Sequence, residues 1–581
     1  MSEVKKMDQF TLDIIKDSLY AIGEEMFISV ARSSKSPVIY ETLDFASAMT
    51  DKYGNLLTQG NGVTGFIGLL SFMVQETIEK FEKKGKLYPG DIIIINDPYS
   101  GGGSHLSDVG VVMPIYYEGE IVAYSANKAH WTEVGGKDPG SWTVDSTEIF
   151  QEGIQFPCIK LFERGQINEP LIDLIKANVR FPDLSIGDMW AQIAGLKTGE
   201  KRFIELCDKY SKDTVISSIK RMLKTSEEIS RKEVMKLPDG VYEATDFIDD
   251  DGLGSGPLNI QVKVTIDGDR FICDFRGSHM QVPGPINVAL AGLKSAVRTI
   301  FLAATNPSQD VNDGVFTPLE IIVDDRSIFN AKRPAAVSTY WETMIAGEDL
   351  IWKALAPILP ERLPAGHLLS VCAFVFTGNH PETCEPYIAV GPSVGGWGAG
   401  QGKDGENGQF CIGDGETYNI PVEVMETRYG LFVDEYRLRT DGAGVGEFRG
   451  GTGVVRTYRQ QNEGGSFTGT FGRFKYLPWG MNEGGEGSRN MFEFVKADGT
   501  VDGPYGKYAR QPLTTGDAVR MSTATGGGYG NPLNRPVEKV VMDIKNGFIT
   551  AEQGLKDYGV KINSNSFEVI GLSPEREKNG K

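Results

Sequence analysis

The 581-residue chain is too long for one hydrophobic core and implies two to four domains. Its 59 basic against 78 acidic residues leave a net charge of −19, which argues against nucleic acid and anionic membrane as partners, because phosphate binding needs a basic footprint. No apolar run reaches the about 18 residues of a bilayer span, and the charged start MSEVKKMDQFTLDIIKD lacks a signal-peptide core.

In chain order, Phe10 to Arg32 places Leu12, Ile15, Leu19, Ile22 and Met26 on one helical face. Asp44 to Leu57 reads as strand, turn, strand, turning at Tyr53-Gly54-Asn55. Phe66 to Phe81 is expected to be a helix buried against a sheet, and Asp91 to Ile95 a short apolar strand. Asp108 to Tyr117 and Ile121 to His130 read as a hairpin centred on Tyr117-Glu118-Gly119-Glu120. Glu169 to Arg180 and Ile186 to Leu223 follow as helices, the second broken near Ser211, and the first domain is expected to end near Lys236.

Beyond Leu237-Pro238-Asp239-Gly240 the pattern alternates like strands over Gly240 to Phe247, Leu258 to Ile266 and Arg270 to Phe275. Helices are expected over Asn287 to Ala304 and around Gly347 to Ile358. From Ala365 onward short strands alternate with glycine turns, and the charged tail from Ser564 is expected to be poorly ordered. The expected class is therefore α+β and multi-domain, with an α/β metal-site region at 1–236, a middle α+β domain at 237–364, a β-rich, glycine-rich domain at 365–563 and a tail at 564–581.

Two of the five histidines, His105 and His130, fall in the stretch from Asn96 to Gly136, with Asp108 three residues after the first. In a hairpin folded about residues 117–120, partner numbers sum to about 237. His130 then faces the region of residue 107, flanked by His105 and Asp108. Two imidazoles and a carboxylate converging at one end of a sheet suit a divalent metal. A lone H-x-x-D is a weak signal, and the convergence with His130 strengthens it. Gly101-Gly102-Gly103 just before His105 leaves room for backbone to approach a ligand.

Other features point less sharply. His279, His367 and His380 are isolated and read as structural or surface residues. Gly391 to Gly415 holds ten glycines and reads either as a surface loop or as an interface or lid near the site, with Trp397 as its anchor. There is no G-x-x-x-x-G-K-[ST] or H-E-x-x-H, and Gly442-Ala443-Gly444-Val445-Gly446 has the wrong spacing for a dinucleotide. The six cysteines form no C-x-x-C pair, which is the pattern of reduced thiols in the cytoplasm.

The ordered motifs resemble one family. Asn96-Asp97-Pro98-Tyr99, Gly103-Ser104-His105-Leu106-Ser107-Asp108, Ala129-His130 with Glu133-Val134-Gly135-Gly136, Pro139-Gly140-Ser141 and Ser146 to Gly153 look like the hydantoinase B / 5-oxoprolinase family, as do Arg449-Gly450-Gly451-Thr452-Gly453 and Gly526-Gly527-Gly528-Tyr529-Gly530. The resemblance covers nearly the whole chain. It implies the metal-carrying subunit of a cytoplasmic, ATP-dependent hetero-oligomer whose hydantoinase A-type, actin-fold partner supplies the ATP site. Members hydrolyse cyclic amides (hydantoins, 5-oxoproline, lactams), and a related branch carboxylates ketones such as acetone and acetophenone. The implied ligands of one divalent ion (zinc, manganese or iron) are Asp44, His105, Asp108 and His130. Asp108, His130 and Glu133 are the implied catalytic residues, although the family more often has aspartate where Glu133 stands.

Overall fold

The structure is a computed structural model that describes residues 9–60 and 62–578. A seven-stranded sheet carries the N-terminal region: β1 (Phe45–Asp51), β2 (Leu56–Gln59), β3 (Ile92–Ile95), β4 (Asp108–Tyr117), β5 (Glu120–His130), β6 (Ile159–Glu163) and β7 (Gln166–Ile167). Their order across the sheet is β2-β1-β5-β4-β3-β6-β7. Pleating sends alternate residues to opposite faces, and each face meets its own helices. The helices of this region are α1 (Gln9–Ser33), α2 (Pro37–Tyr40), α3 (Leu69–Lys80), α4 (Glu169–Asn178), α5 (Pro182–Tyr210) and α6 (Lys212–Val234). Ala46, Ala48, Ile93, Ile95 and Val112 pack under α3 through Leu70, Met73 and Val74. Met49, Leu57, Ile115 and Ala123 pack on the other face against Ile15, Leu19 and Met26 of α1 and Phe203 of α5. The expected break near Ser211 separates α5 from α6, and Ser211 adopts φ +70° there while its side chain caps α6 at Thr214.

The middle region is a four-stranded sheet of β8 (Gly240–Ile248), β9 (Leu258–Asp267), β10 (Arg270–Asp274) and β11 (Leu319–Ile322), ordered β11-β10-β9-β8. Two helices pack together here, α7 (Leu290–Ala304) and α8 (Trp341–Leu355). Helix α8 begins six residues before the expected Gly347, and that extra turn and a half matters for the site.

The remainder is β-rich. One sheet orders β12 (Ala373–Asn379), β13 (Pro386–Gly391), β16 (Gly465–Thr470) and β19 (Lys507–Leu513) as β13-β12-β16-β19. The second orders β14 (Leu431–Leu438), β15 (Val454–Gln460), β17 (Met491–Val495), β18 (Val501–Tyr505) and β20 (Ala518–Ser522) as β14-β15-β20-β17-β18. Beside them glycine-rich segments interlock backbone to backbone: Gly451 N–H donates to Trp397 O (2.8 Å), Gly526 N–H to Gly451 O (2.9 Å) and Gly444 N–H to Gly526 O (3.0 Å). A Cβ on Gly526 would overlap the Trp397 carbonyl, and one on Gly451 the Glu406 carbonyl, so only glycine permits this approach.

The described part of the tail, residues 564–578, differs from expectation. Residues beyond 563 include β22 (Val569–Leu572), paired with β21 (Val560–Ile562), and a short helix at Pro574–Lys578. Arg576 is fully buried and donates to the carbonyl of Tyr558 at 2.6 Å and to that of Arg535. Burial of that guanidinium against two carbonyls ties down a segment whose charge alone suggested a loose end. The largest buried cluster is also continuous, from Ile92 to Ala524, and so crosses positions 236 and 364.

Candidate metal centre

Register explains why distant residues meet. At the turn, Tyr117 pairs with Glu120 as the sum of 237 requires. A β-bulge at Ile115/Tyr116 then adds one residue, so Asp108 pairs with His130 directly. On the other side of β5, Phe45 pairs with Ala129 and His130 N–H donates to Asp44 O (3.0 Å). Asp44, His130 and Asp108 therefore form one row across three neighbouring strands. His105 approaches from the loop before β4, and ligand atoms of His105, Asp108 and His130 all lie within 4.8 Å of one another. Asp44 lines the same cavity.

Hydrogen bonding defines which ring atoms face inward. His105 Nδ1 lies 3.0 Å from Ser338 O, a carbonyl that can only accept, so Nδ1 carries the proton. Nε2 then faces Asp108 Oδ1 at 3.3 Å. With the ring neutral, a bare nitrogen against a carboxylate oxygen is a repulsive contact that either a second proton on Nε2 or a cation between the two groups relieves. His130 Nε2 accepts from the Trp142 indole N–H at 3.2 Å, while its buried Nδ1 has no partner. These features fit a cation site.

The electrostatics agree. Asp44 and Asp414 keep some exposure, yet the surrounding protein raises both carboxyls: Asp44 well above its ordinary range through burial, then Asp108 and Asp414, and Asp414 to about 7 through burial. Burial would raise Asp108 too, but His105, Lys128 and His130 hold it below the usual range. His130 is pushed down to about 4 by burial and then by His105, so it is a neutral imidazole at neutral pH. Clustered carboxylates of this kind are costly without a counter-ion.

Several cavity residues were invisible to sequence reasoning. Tyr340 Oη donates to Asp108 Oδ2 (3.3 Å), and its ring packs 5.3 Å from His105. Trp341, Met344 and Ile345 on the first turn of α8 form one wall, with Trp142 packed against Trp341 at 4.8 Å between ring centroids and tilted by 42°. Gly413 and Asp414, from the end of the glycine-rich segment, form another, held by Gly65 N–H to Gly413 O (2.7 Å). Trp397 in that segment donates to Phe410 O at 2.6 Å and packs at a tilt against His367, whose Nε2 accepts from Ile412 N–H (3.1 Å). Lys128, two residues before His130 on the same face, is fully buried opposite Ala46 and Gly110, and donates to Gly102 O (2.6 Å). Two-residue alternation along β5 would have placed Lys128 on the face of His130, though it was not singled out from the sequence; nothing local marked Tyr340 or Asp414.

Glu133 is placed differently from the ligand cluster. Its buried carboxylate takes the backbone N–H of Arg180 and the Arg180 guanidinium at 2.7 Å, and it does not line the cavity. A larger crevice of about 370 Å³ lies against Thr132, Arg180, Tyr387 and Arg428, but holds none of the clustered histidines or aspartates.

The family description "Hydantoinase B/oxoprolinase" matches residues 8–532. The chain belongs to this family. Among Hydantoinase B/oxoprolinase relatives, a subunit of a putative D-/L-hydantoinase from a Pseudomonas species is 33% identical, over 97% of this chain and 96% of its own. The crystal structure of the ATP-dependent caprolactamase from Pseudomonas jessenii superposes with a TM-score of 0.91 at 27% identity, over 99% of both chains. A nucleotide-free acetone carboxylase structure shares the fold, with a TM-score of 0.91 at 18% identity over 100% of this chain and 83% of that one. The mixed α+β, multi-sheet architecture is thus the one found in these proteins. Among the described residues no helix is long and apolar enough to cross a membrane.

Proposed function

We propose that this chain is the metal-carrying subunit of an ATP-dependent enzyme that hydrolyses a cyclic amide. The observation that carries the reading is the row Asp44–His130–Asp108 joined by His105 in a cavity walled by aromatic side chains. Relatives named as a subunit of a putative hydantoinase and as an ATP-dependent caprolactamase support the reaction class and a partner subunit. Asp44, His105, Asp108 and His130 would hold one divalent ion, and their nitrogen and oxygen donors suit zinc, manganese or iron. Such an ion would supply a water made acidic enough to serve as the nucleophile that ring opening needs.

The protein's own groups have defined tasks in this scheme. Ser338 O fixes the tautomer of His105, and Tyr340 Oη orients Asp108. The aromatic and aliphatic walls exclude bulk water, which strengthens every charge interaction inside. An amide in a small ring is a poor electrophile, so ATP would activate its carbonyl oxygen by phosphorylation, at a site assigned to a hydantoinase A-type partner. Reconstitution with that partner and ATP, offering hydantoin, 5-oxoproline, a lactam and acetophenone with and without bicarbonate, tests the proposal. Ring-opened product with stoichiometric ADP is expected. A carboxylated ketone instead would replace the hydrolase reading with a carboxylase.

A further inference from the structure

We propose that the Trp142 indole N–H and the metal compete for His130, so that loading the ring frees the indole to donate to a carbonyl oxygen of the substrate. The inference rests on the reading of His130 as a metal ligand in the substrate cavity. A neutral imidazole has one N–H and one lone pair. His130 Nε2 accepts from the Trp142 indole at 3.2 Å, so the lone pair is there and the proton is on Nδ1. A metal at Nε2 needs that same lone pair. A metal at Nδ1 would move the proton to Nε2, where it would point at the indole proton. In neither arrangement does the bond from Trp142 survive.

The indole can change partner while the chain on either side stays in place. Ser141 Oγ accepts from Val134 N–H (2.8 Å) and donates to Gly135 O (2.7 Å), and Thr143 N–H donates to Ser338 Oγ (2.9 Å). The Trp142 ring meets the His130 ring edge-on, at 87° with centroids 5.9 Å apart, and lines the cavity. The other side-chain acceptors on the wall are committed. Asp44 and Asp108 are the implied ligands, Tyr340 donates to Asp108 (3.3 Å), and Asp414 takes the Cys411 thiol (3.2 Å). A buried indole N–H needs a partner. An oxygen of the bound substrate is the acceptor that remains, and a donor aimed at it stabilises the charge that builds there as the carbonyl reacts.

The test is the zinc affinity of the full chain, read by competition with a chelator, in the wild type and in Trp142→Phe and Trp142→Leu, which both lack the donor. Loss of the competing bond is expected to tighten zinc binding by about threefold to tenfold in each folded variant. Tyr340→Phe is the control. It removes a donor that orients Asp108 without blocking it, and zinc binding is expected to weaken by about tenfold or more. Unchanged or weaker binding in the Trp142 variants would overturn the competition, because an indole that only supports the ring would behave as Tyr340 does. The reconstituted enzyme reads the second role. At full zinc occupancy kcat is expected to fall about a hundredfold with little change in KM. A kcat equal to that of the wild type would remove the indole from the chemistry. Failure of the hydrolase reading looks different. A carboxylated ketone as product would leave both roles standing, since that substrate also presents a carbonyl oxygen. No turnover of any compound offered would remove the donor role together with the hydrolase and leave the competition to the zinc titration.

Discussion

His105 and His130 reach the cavity from different elements, and each ring has a partner that orients it: the Ser338 carbonyl for one, the Trp142 indole N–H for the other. Replacing either with alanine is expected to reduce bound metal to a small fraction while circular dichroism stays native, because each ring sits beside other aromatic groups that can hold the fold. Full metal occupancy in both variants, read by elemental analysis, would sink the ligand assignment. Glu133 and Arg180 form a pair of a different kind. Arg180→Ala leaves a buried carboxylate with only a backbone N–H, and such uncompensated charges cost about 3 kcal/mol or more. Glu133→Gln removes the charge itself and is expected to cost less. Chemical denaturation of the two variants compares them, and a milder loss in Arg180→Ala would contradict the buried-charge account.

Glu152 shows how one element holds another. Its Oε1 accepts from Ser146 Oγ (2.7 Å) and from the backbone N–H groups of Val337 and Ser338 (2.9 Å each), while Oε2 is buried without a partner. The same Ser338 receives His105, so this carboxyl staples the residue 146–152 segment to the stretch that positions a ligand. Burial raises Glu152 from 4.5 to about 7. The folded chain therefore holds a proton that the unfolded chain releases between pH 4.5 and about 7. Its contribution is complete below pH 4.5 and is lost as pH rises towards 7, by up to about 3 kcal/mol. Glu152→Gln is expected to flatten the metal-free stability profile over that window, and an unchanged slope would refute the assignment. Much at this scale was legible beforehand. The hairpin, the α5–α6 break at Ser211 and the opening helix follow from period, turn residues and apolar spacing. The start of α8 was not legible, because Tyr340 precedes it without a side-chain cap and Ala335 to Thr339 carries no helical period. Tyr340 and Trp341 were lost with it. Asp414 was hidden because Asp44, His105, Asp108 and His130, which line the cavity with it, lie hundreds of residues before it.

Across the whole molecule, the glycine-rich segments make one tightly interlocked layer. Gly526→Ala would drive a methyl group into the Trp397 carbonyl and is expected to cost about 3 kcal/mol or more, or to prevent folding. Gly402→Ala, with open space around it and φ +88°, should cost only about 1 kcal/mol. Similar melting temperatures for the two would refute the layer's role. The proposed division of labour also predicts that the purified chain alone does not turn over ATP, and robust turnover by it would overturn that scheme. The donors His105, Asp108 and His130 are all made within the first 130 residues, yet their enclosure is supplied by residues 340–345 and 413–414. At about 5–20 residues per second, some 15 to 60 s separate the last donor from the last wall during synthesis. For that interval the donor hairpin can meet whatever divalent ion the surroundings offer, and copper outcompetes zinc, manganese and iron on intrinsic affinity. Under the proposed metal reading, the ion taken up would thus depend on supply and timing at the ribosome as well as on the finished cage.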